Sequence, residues 1–485
     1  MLNVDIKGIF KVVAIILSIL SIFFLLPIII GFYYHEDIIK FIIFDSLLFI
    51  TNIAILFYLR EHQISLKIKG AIIVTNVTWL SLGVVGAIPF MLYAPNIDFS
   101  SSFFEAISGF TTTGATVFSE IEALPKMLLF FRSLTHWLGG MGIIILGVGL
   151  LSIINPTGSI SLFKAESTGI TIDKFAPKIK DTAIMLWGIY LALTIINMLF
   201  LHGFGMGWFD AINHAFSTIS TGGFSTKNDS LGHYFNNSAI IWTTTIFMII
   251  SGVNFLAHLR FIHKDFSGYR SDEVIYYIVI FSILSIALSF YHFSSSDTLL
   301  GSSITHSFFT IASIMTTTGF ATTDYGTWGH LAVAIIFISM LIGGNTGSTA
   351  GGVKVIRYII VFKNITSEIK RILHPNALFS VFIDDKKIKS SLITSVFGFF
   401  TLYIFTTILI MVYLYARGLD EMSSISTALA TVGNIGPGFV QTGPVENYGF
   451  FEWYDKIILS FAMIIGRLEC YTVFLLFSRW FWKRF

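Results

Sequence analysis

The chain has 485 residues, of which 54% are apolar, against only 30 Lys or Arg and 28 Asp or Glu. A soluble domain of this size does not need so apolar a composition, so a water-facing globule is excluded. The net charge of +2 gives no overall attraction to nucleic acid, and no basic run alternates with aromatic residues, so nucleic-acid binding is excluded too. The single cysteine, Cys470, cannot form an internal disulfide, and no Cys/His cluster has metal-site spacing.

Ten apolar segments are long enough to cross a bilayer, because a hydrocarbon core of about 30 Å takes about 20 helical residues. They run approximately over residues 8–32, 38–59, 70–94, 127–155, 181–202, 238–259, 273–293, 329–369, 391–416 and 455–480, and the eighth is interrupted. The first is too long for a signal peptide and lacks a small-residue cleavage site, so we expect it to remain as a membrane helix.

The Lys and Arg residues between these spans fall mainly on one side. The segment 354–389 alone carries eight of them, and the regions around residues 7–11, 60–69, 164–180, 260–270 and 479–484 lie on the same side. Basic loops stay in the cytoplasm. Both termini are therefore predicted to be cytoplasmic, as an even number of spans requires.

A short glycine motif occurs four times. Its copies read FTTTGA from Phe110, ISTGGF from Ile219, MTTTGF from Met315 and VGNIGP from Val432. A helical stretch of about a dozen residues leads into each copy, over 98–110, 210–219, 302–315 and 420–431. A helix of about 12 residues is about 18 Å long, so it enters a bilayer without crossing it. The sequence thus predicts four re-entrant half-helices.

Four re-entrant loops in one chain indicate a pore, since irregular backbone at membrane depth is stable only when buried in protein or lining a water-filled path. Half-helices that enter from outside aim their partly negative C-terminal ends at a common centre, which favours a cation. A glycine after Ser or Thr lets the backbone turn its carbonyl oxygens toward the axis, as in potassium filters. One such loop alone is usually an ordinary turn, but four in register favour the pore.

The motifs resemble those of the Trk, Ktr and HKT superfamily of potassium transporters, specifically its bacterial TrkH/TrkG branch, over nearly the whole chain. The matching segments are residues 111–116, 137–142, 222–226, 318–320, 343–357, 374–377, 434–438 and 466–469. The resemblance implies an all-α polytopic membrane protein with four tandem membrane-pore-membrane repeats around one pore, plus two N-terminal transmembrane helices. The expected division is 1–62 for those two helices and 70–155, 181–263, 272–370 and 390–485 for the repeats, the third with a broken second helix.

The resemblance also implies which residues line the filter and hold the potassium ion. The filter glycines carry over as Gly114, Gly222, Gly319 and Gly436. With their neighbours, the candidate filter residues are Thr112, Thr113, Gly114, Ser220, Thr221, Gly222, Thr317, Thr318, Gly319, Asn434, Ile435 and Gly436. In plant members, serine at the first glycine position goes with sodium transport, so Gly114 favours potassium. Asn434 departs from the threonine of the other loops, an asymmetry that the family shares.

The same resemblance implies a homodimer in the bacterial inner membrane, among its lipids, with potassium as the transported ion and no tightly bound cofactor. It implies gating by a cytoplasmic TrkA-type ring of nucleotide-binding domains. This chain has no dinucleotide-binding fingerprint, which agrees with regulation by a separate subunit. We expect that subunit to dock on the basic cytoplasmic loops, chiefly 354–389.

The eighth span runs into a glycine-rich stretch. It consists of Gly343, Gly344, Asn345, Thr346, Gly347, Ser348, Thr349, Ala350, Gly351 and Gly352. Each glycine costs about 1 kcal/mol against alanine in a helix, so the helix is expected to break there. A packed small-residue helix contact is the alternative, but a movable plug below the filter is favoured, and the resemblance implies an intramembrane gating loop. A phosphate-binding loop is excluded because no Ser or Thr follows Lys354 and no strand precedes the stretch.

Two arginines fall inside spans, where an ionisable side chain is costly and a functional candidate. Arg467 is expected to meet the glycine-rich stretch and hold the closed state, with simple packing against carbonyl groups as the alternative. Glu469, two positions on, is expected to point elsewhere on the helix and to be a poor partner for Arg467. Arg132 is placed nearer the outer boundary, without an assigned function.

Acidic residues on the outside concentrate cations at the mouth or cap helices. They are Asp98, Glu105, Asp210, Asp324, Asp420 and Glu421. Capping is the expected main role of Asp210 and Asp420.

Two functions remain, potassium uptake through a gated channel-like pore and secondary active symport of potassium with protons or sodium. No Asp or Glu is expected in the middle of a span as a proton carrier, which disfavours the symporter. An intramembrane enzyme would need a nucleophile with a placed base. Its candidate bases, His136 and His258, have no visible nucleophile partner, and polar contacts at span ends account for both, so we predict that the protein is not an enzyme.

Overall fold

A computed structural model describes residues 4–142 and 179–483, with only the backbone described at residues 179 and 180. Its α-helices are α1 (Ile6–Tyr33), α2 (Ile39–Tyr58), α3 (Ile68–Tyr93), α4 (Phe99–Phe110), α5 (Lys126–Gly140), α6 (Ile179–Gly203), α7 (Trp208–Ile219), α8 (Ser238–Ser251), α9 (Phe255–Ile262), α10 (Asp272–Ser295), α11 (Leu300–Met315), α12 (His330–Met340), α13 (Val355–Leu373), α14 (Ser390–Ala416), α15 (Glu421–Val432), α16 (Trp453–Arg467), α17 (Tyr471–Phe477) and α18 (Arg479–Trp482). Strands β1 (Phe382–Ile383) and β2 (Lys386–Lys387) form a small antiparallel hairpin.

Within the described residues, six helices are long and apolar enough to cross a membrane, namely α1, α2, α3, α6, α10 and α14. Two helix pairs are apolar enough together but bent at a short break, α8 with α9 by 95° and α16 with α17 by 116°, and counting each pair as one span gives eight. Each of these helices bonds its own backbone groups internally, which lipid requires. The protein is therefore an all-α polytopic membrane protein, as predicted.

The sixth and tenth predicted spans differ from the structure because each is bent rather than continuous. Asn254 breaks the first, since its side chain accepts from the Leu256 N–H at 2.8 Å and starts α9 afresh. Glu469 and Cys470 break the second, with φ of 54° and 62°. No proline marks either break, so the sequence pattern did not reveal them. The part of the fourth predicted span beyond residue 142, and the basic segment 164–178, lie outside the described residues.

Short helices pack against each long helix that precedes them, α4 on α3, α7 on α6, α11 on α10 and α15 on α14. We call α4, α7, α11 and α15 the half-helices. Small residues allow the close approach, because a Cβ atom on Gly86 of α3 would lie 2.7 Å from the ring of Phe110 in α4. Four copies of the same helix pair thus bring the half-helices into the interior.

The N-terminal helices α1 and α2 pack on α5 of the first repeat through a cluster of phenylalanines. Phe24 lies with its ring centre 5.2 Å from that of Phe131, and Phe41 lies 5.8 Å from the same ring. Asp45 lies within α2, is 5% exposed and accepts a hydrogen bond from the Ser21 hydroxyl at 2.6 Å. The expectation that no acidic residue lies well inside a span is therefore wrong, and so is the argument against a symporter built on it.

Candidate ion pathway

The four half-helices end in the same backbone conformation. The second residue after each helix has a left-handed φ, at Thr112 (54°), Thr221 (54°), Thr317 (57°) and Asn434 (55°). The fourth residue is a glycine with positive φ, at Gly114 (83°), Gly223 (84°), Gly319 (81°) and Gly436 (98°). Glycine adopts such φ values without the steric cost that a side chain imposes. The repeat seen in the sequence is therefore also a repeat of backbone geometry.

The glycine predicted for the second repeat is wrong by one position. Gly222 is not among the residues with positive φ and stands where the other repeats have Thr113, Thr318 and Ile435, whereas Gly223 matches the other three glycines. Two consecutive glycines made the register ambiguous from residue type alone. Aligning the whole six-residue motif pairs Gly223 with Gly114, and this alignment was the signal that could have found it.

The glycines interlock between repeats in cyclic order. A Cβ atom on Gly114 would collide with the carbonyl oxygen of Gly222, and one on Gly223 with that of Thr318. Likewise, Gly319 abuts the carbonyl of Ile435, and Gly436 abuts that of Thr113. The contacts run from the first repeat to the second, third and fourth and back to the first. We call the four oxygens, those of Thr113, Gly222, Thr318 and Ile435, the carbonyl ring.

The surroundings of the carbonyl ring favour a cation. The half-helices end just before it, so their C-terminal ends, each with about half a negative charge, converge there. A ring of backbone carbonyls can replace the water shell of an ion. Outside the ring, a cavity of about 80 Å³ is lined by all four interlocking glycines. The arrangement is suited to binding a desolvated cation on the axis.

Hydroxyl groups behind the ring bond to one another and to helix carbonyls. The Thr111 hydroxyl donates to the Ile107 carbonyl and lies 2.7 Å from the hydroxyl of Thr113. The same pattern recurs in the third repeat, where the Thr316 and Thr318 hydroxyls are 2.7 Å apart. In the fourth repeat, the Asn434 amide donates to the Thr113 hydroxyl at 2.9 Å and so joins the last repeat to the first. These bonds fix the loops and leave the main-chain carbonyls to form the ring.

The second helix of the third repeat breaks between α12 and α13, as predicted. We call residues 343–352 the intramembrane loop. The Gly351 N–H donates to the Thr317 hydroxyl at 2.6 Å, and a Cβ on Gly351 would lie 2.7 Å from the Gly433 carbonyl oxygen. The Thr349 hydroxyl donates to the Ile219 carbonyl at 3.0 Å. The loop thus touches the ends of three half-helices on the inner side of the carbonyl ring.

Arg467, at the end of α16, joins the intramembrane loop to the first repeat. Its Nη1 donates to the Thr349 carbonyl at 3.1 Å, and its Nη2 donates to the carbonyls of Gly139 at 2.9 Å and Gly140 at 3.3 Å. The expected contact between Arg467 and the loop is present. These three bonds are charge-assisted hydrogen bonds to main-chain carbonyls.

Two carboxylates anchor this loop and the start of α13. Glu273 of α10, 9% exposed, accepts from the Thr346 N–H at 2.7 Å and the Ile356 N–H at 3.3 Å. Glu469 pairs with Arg357 of α13, so it does point away from Arg467, as expected. The sequence analysis missed Glu273 because its partners lie 73 and 83 positions away and an acidic residue opening a span is an ordinary feature of the membrane interface.

The acidic residues assigned to the outer mouth have different environments. Asp98 and Asp420 cap α4 and α15, accepting from the N–H groups of Ser101 at 3.1 Å and Ser423 at 3.0 Å. Partial burial raises the pKa of Asp420, but its hydrogen bonds from Ser423 outweigh this, so its pKa is lowered. Asp210 is wrong as a cap, because Gly207 holds that position in α7.

Other members of the set are bound to neighbours or lie on the surface. Glu105 is fully buried against Arg132, so the expectation that it faces the mouth is wrong. Asp210 instead accepts from the hydroxyls of Thr226 at 2.6 Å and Tyr234 at 3.1 Å. Asp324 accepts from the Gly326 N–H at 2.9 Å in a short turn, and Glu421 is exposed.

Both histidines that were weighed as catalytic bases make structural contacts. His136 Nδ1 lies 2.7 Å from the Gly109 carbonyl oxygen, and its ring stacks on Phe224 with centres 4.0 Å apart. His258 lies 2.6 Å from the Tyr269 hydroxyl and 3.0 Å from the Ile250 carbonyl oxygen. The interpretation as polar contacts fits these partners.

The chain is similar to known proteins in sequence and in fold. The TrkH family, described as "Cation transport protein", matches residues 34–278 and 272–483. The Trk system potassium uptake protein TrkH of Escherichia coli K12 is 37% identical over 432 residues, covering 87% of this chain and 88% of that protein. The Trk system potassium uptake protein TrkH of Halomonas elongata is 36% identical over 431 residues, covering 88% of each chain. The crystal structure of the potassium transporter TrkH from Vibrio parahaemolyticus has a TM-score of 0.88 and 32% identity, covering 99% of this chain and 100% of that one.

The corrected register predicts opposite behaviour for two adjacent glycines. The three atoms nearest to a Cβ on Gly222 all belong to the His136 ring, so removing that ring with His136→Ala should relieve the clash of Gly222→Ala. Gly223→Ala meets the Thr318 backbone and carries a left-handed strain of about 1–2 kcal/mol, so His136→Ala should not rescue it. Thermal unfolding of the purified single and double variants, read as two double-mutant cycles, measures this. Equal rescue of both glycine variants by His136→Ala would contradict the register.

Proposed function

The chain belongs to the TrkH family of cation transport proteins, and from this premise we propose that it carries potassium into a bacterial cell across the inner membrane through a channel-like pore. The observation that supports the proposal best is the closed carbonyl ring, to which each repeat gives one oxygen. Four converging helix ends and four carbonyl oxygens compensate the lost water shell of a monovalent cation without any charged side chain. Potassium is the cargo of this pathway.

Potassium is favoured over sodium by the relatives and by the first interlocking glycine. The relatives from Escherichia coli and Halomonas elongata carry potassium uptake in their names and match the chain over 87–88% of its length. Gly114 leaves the Gly222 carbonyl free to reach the axis, whereas a side chain there would displace it. In this proposal the filter residues are the four interlocking glycines with the residues that precede them in each loop.

The intramembrane loop is proposed as the gate. It lies against the inner side of the carbonyl ring, where hydrogen bonds that involve Gly351, Thr349 and Arg467 hold it. Five glycines in ten residues make its backbone able to change conformation at low cost. Opening therefore requires the loop to break its hydrogen bonds with Thr317, Ile219 and Arg467, while the ring itself stays intact.

The cytoplasmic end of the gate is proposed as the docking region for a TrkA-type nucleotide-binding ring. Helix α13 follows the intramembrane loop directly and carries Lys363, Lys370 and Arg371, and the segment 386–389 adds further lysines. A partner that moves α13 would pull on the loop through Lys354, whose ammonium group donates to the Ala350 carbonyl. The same proposal includes a homodimer with both termini in the cytoplasm. It also includes the division of the chain into five parts, 1–62, 70–155, 181–263, 272–370 and 390–485.

Symport with protons or sodium is the second candidate, and Asp45 is the observation that keeps it open. Its buried carboxyl lies within α2, where a protonatable group is a functional candidate. Its hydrogen bond goes to Ser21 of α1, not to a residue of the carbonyl ring. A current that reverses at the potassium equilibrium potential separates the channel from the symporter.

The filter is tested by cation flux into proteoliposomes that contain the purified protein, with potassium, rubidium and sodium compared for the wild type and Gly114→Ser. We expect uptake of potassium and rubidium by the wild type. In the variant, the serine side chain displaces the Gly222 carbonyl, so the preference over sodium should fall by about tenfold, a cost of about 1.4 kcal/mol. Intact selectivity in the variant would contradict the filter assignment. A wild type that moves no cation, even with its cytoplasmic partner and nucleotide, would contradict the pore.

The gate is tested by Arg467→Ala in the same flux assay without a cytoplasmic partner. Removing the three hydrogen bonds of the guanidinium to Thr349, Gly139 and Gly140 should free the loop and raise basal potassium flux about tenfold or more. Arg417→Ala is the matched control, because Arg417 pairs with Asp455 between α14 and α16 and does not bond the loop. Unchanged basal flux in a folded Arg467→Ala protein would contradict the gate.

A further inference from the structure

A fully buried ion pair lies beside the carbonyl ring. Glu105 of α4 is 0% exposed and Arg132 of α5 is 1% exposed, with Arg132 Nη2 lying 2.8 Å from Glu105 Oε1 and Nε donating to the same oxygen at 2.9 Å. Burying two charges costs about as much as their attraction returns, so net stability alone is a weak reason for such a pair. Its contacts with the filter indicate another role.

The pair holds two segments that leave the carbonyl ring on its outer side. Glu105 accepts from the Thr116 hydroxyl at 3.0 Å and from the Val117 N–H at 2.9 Å, and these residues closely follow Gly114. Arg132 donates to the Ser225 carbonyl at 3.1 Å, two residues after Gly223, and its guanidinium lies 4.1 Å from the ring centre of Phe224. The ion pair therefore connects the filter segments of the first and second repeats.

Each of the other neighbouring segments is also connected, but through different groups. The second and third repeats are joined by the Leu231 N–H and the Ala321 carbonyl at 3.0 Å. The third and fourth are joined by the Tyr325 hydroxyl and the Gly438 carbonyl at 3.4 Å. The fourth and first are joined by the Tyr448 N–H and the Thr116 carbonyl at 2.8 Å. Among these connections, the one between the first and second repeats depends on a charged side chain.

Residues equivalent to Glu105 also bond to the segment outside the carbonyl ring in other repeats. Nine residues before the interlocking glycines stand Glu105, His214, Thr310 and Thr427. His214 Nε2 lies 2.9 Å from the Ser225 hydroxyl, and the Thr427 hydroxyl lies 2.7 Å from that of Thr442. In the first, second and fourth repeats, the side chain at this position thus reaches the outer segment of its own repeat. In the first repeat the residue at this position is a carboxylate. Arg132 neutralises its charge and, by donating to the Ser225 carbonyl, connects it to the second repeat.

The pair also keeps the positive charge of Arg132 from acting on a cation in the cavity outside the ring. Arg132 lines the cavity of about 80 Å³ outside the ring, together with Gly114 and Gly223. An unpaired guanidinium there would repel a cation approaching the axis. Glu105 cancels that charge while its remaining bonds hold Thr116 and Val117.

We propose that Glu105 and Arg132 are positioning residues for ion selectivity, which set the separation of the Thr113 and Gly222 carbonyls by tying together the segments that follow them. The inference rests on the proposed function, since it concerns which cation the carbonyl ring prefers. Neither residue contributes an oxygen to the ring.

The test measures the potassium-to-sodium permeability ratio, from reversal potentials across bilayers that contain the purified full-length protein. Glu105→Gln keeps the size of the side chain but removes the charge, and Arg132→Lys keeps the charge but cannot bridge Glu105 and the Ser225 carbonyl with a planar fork. We expect each variant to lower the ratio by about threefold or more, the size of effect that coupled contacts produce. Glu105→Gln should also lower potassium flux, because Arg132 is then unpaired, whereas Arg132→Lys should not.

Asp455→Asn is the matched control. Asp455 is buried at 3% exposure and pairs with Arg417, so its loss should lower the melting temperature while the permeability ratio stays at the wild-type value. If Glu105→Gln does not fold, Glu105→Asp and Arg132→Lys carry the same test. If the wild type prefers potassium and folded variants of Glu105 and Arg132 keep its permeability ratio, this inference alone is overturned. A wild type that conducts without preferring potassium would overturn the proposed function and this inference together.

Discussion

The carbonyl ring exists because four glycines let neighbouring loops approach one another without side chains between them. Each glycine abuts a carbonyl oxygen of the next repeat, so the ring closes only if all four loops end at the same depth. Main-chain groups at membrane depth must be bonded or face a polar path. This constraint accounts for the rest of the structure: the paired long helices carry the half-helices to one depth, and the hydroxyls behind the ring satisfy the remaining groups.

The two sides of the ring are held in different ways, and the difference suits a fixed filter beside a movable gate. Outside, a buried ion pair and bonds between backbone groups tie the filter segments together. Inside, hydrogen bonds from Gly351 to Thr317 and from Thr349 to Ile219 connect a glycine-rich loop to the ends of the half-helices. Arg467 joins the same loop to the first repeat, and Glu273 holds both the loop and the start of α13. Breaking one hydrogen bond costs about 1 kcal/mol net, whereas separating a buried ion pair costs about 3–5 kcal/mol.

The sequence predicted what depends on length and pattern. Apolar lengths identified the six long membrane helices of the described residues, and the fourth half-helix, predicted over 420–431, was found as Glu421–Val432. What depends on distant partners was not predicted. The contacts of Glu105 depend on Arg132 in the next helix, whereas the choice between Gly222 and Gly223 was accessible from the aligned motifs. The bends near Asn254 and Glu469 carry no proline, and Glu273 acts on a loop more than seventy residues away, so no local pattern marks either feature.

The central claim is that the carbonyl ring binds a desolvated potassium-like ion on the axis. The direct measurement is the anomalous scattering of crystals of the full-length protein grown with rubidium and, separately, with sodium in place of potassium. The account predicts an anomalous rubidium peak in contact with the carbonyl oxygens of Thr113, Gly222, Thr318 and Ile435. In the sodium crystal, it predicts no electron-density peak in contact with all four of these oxygens. Ordered rubidium elsewhere in the membrane region, with none at the ring, would contradict it.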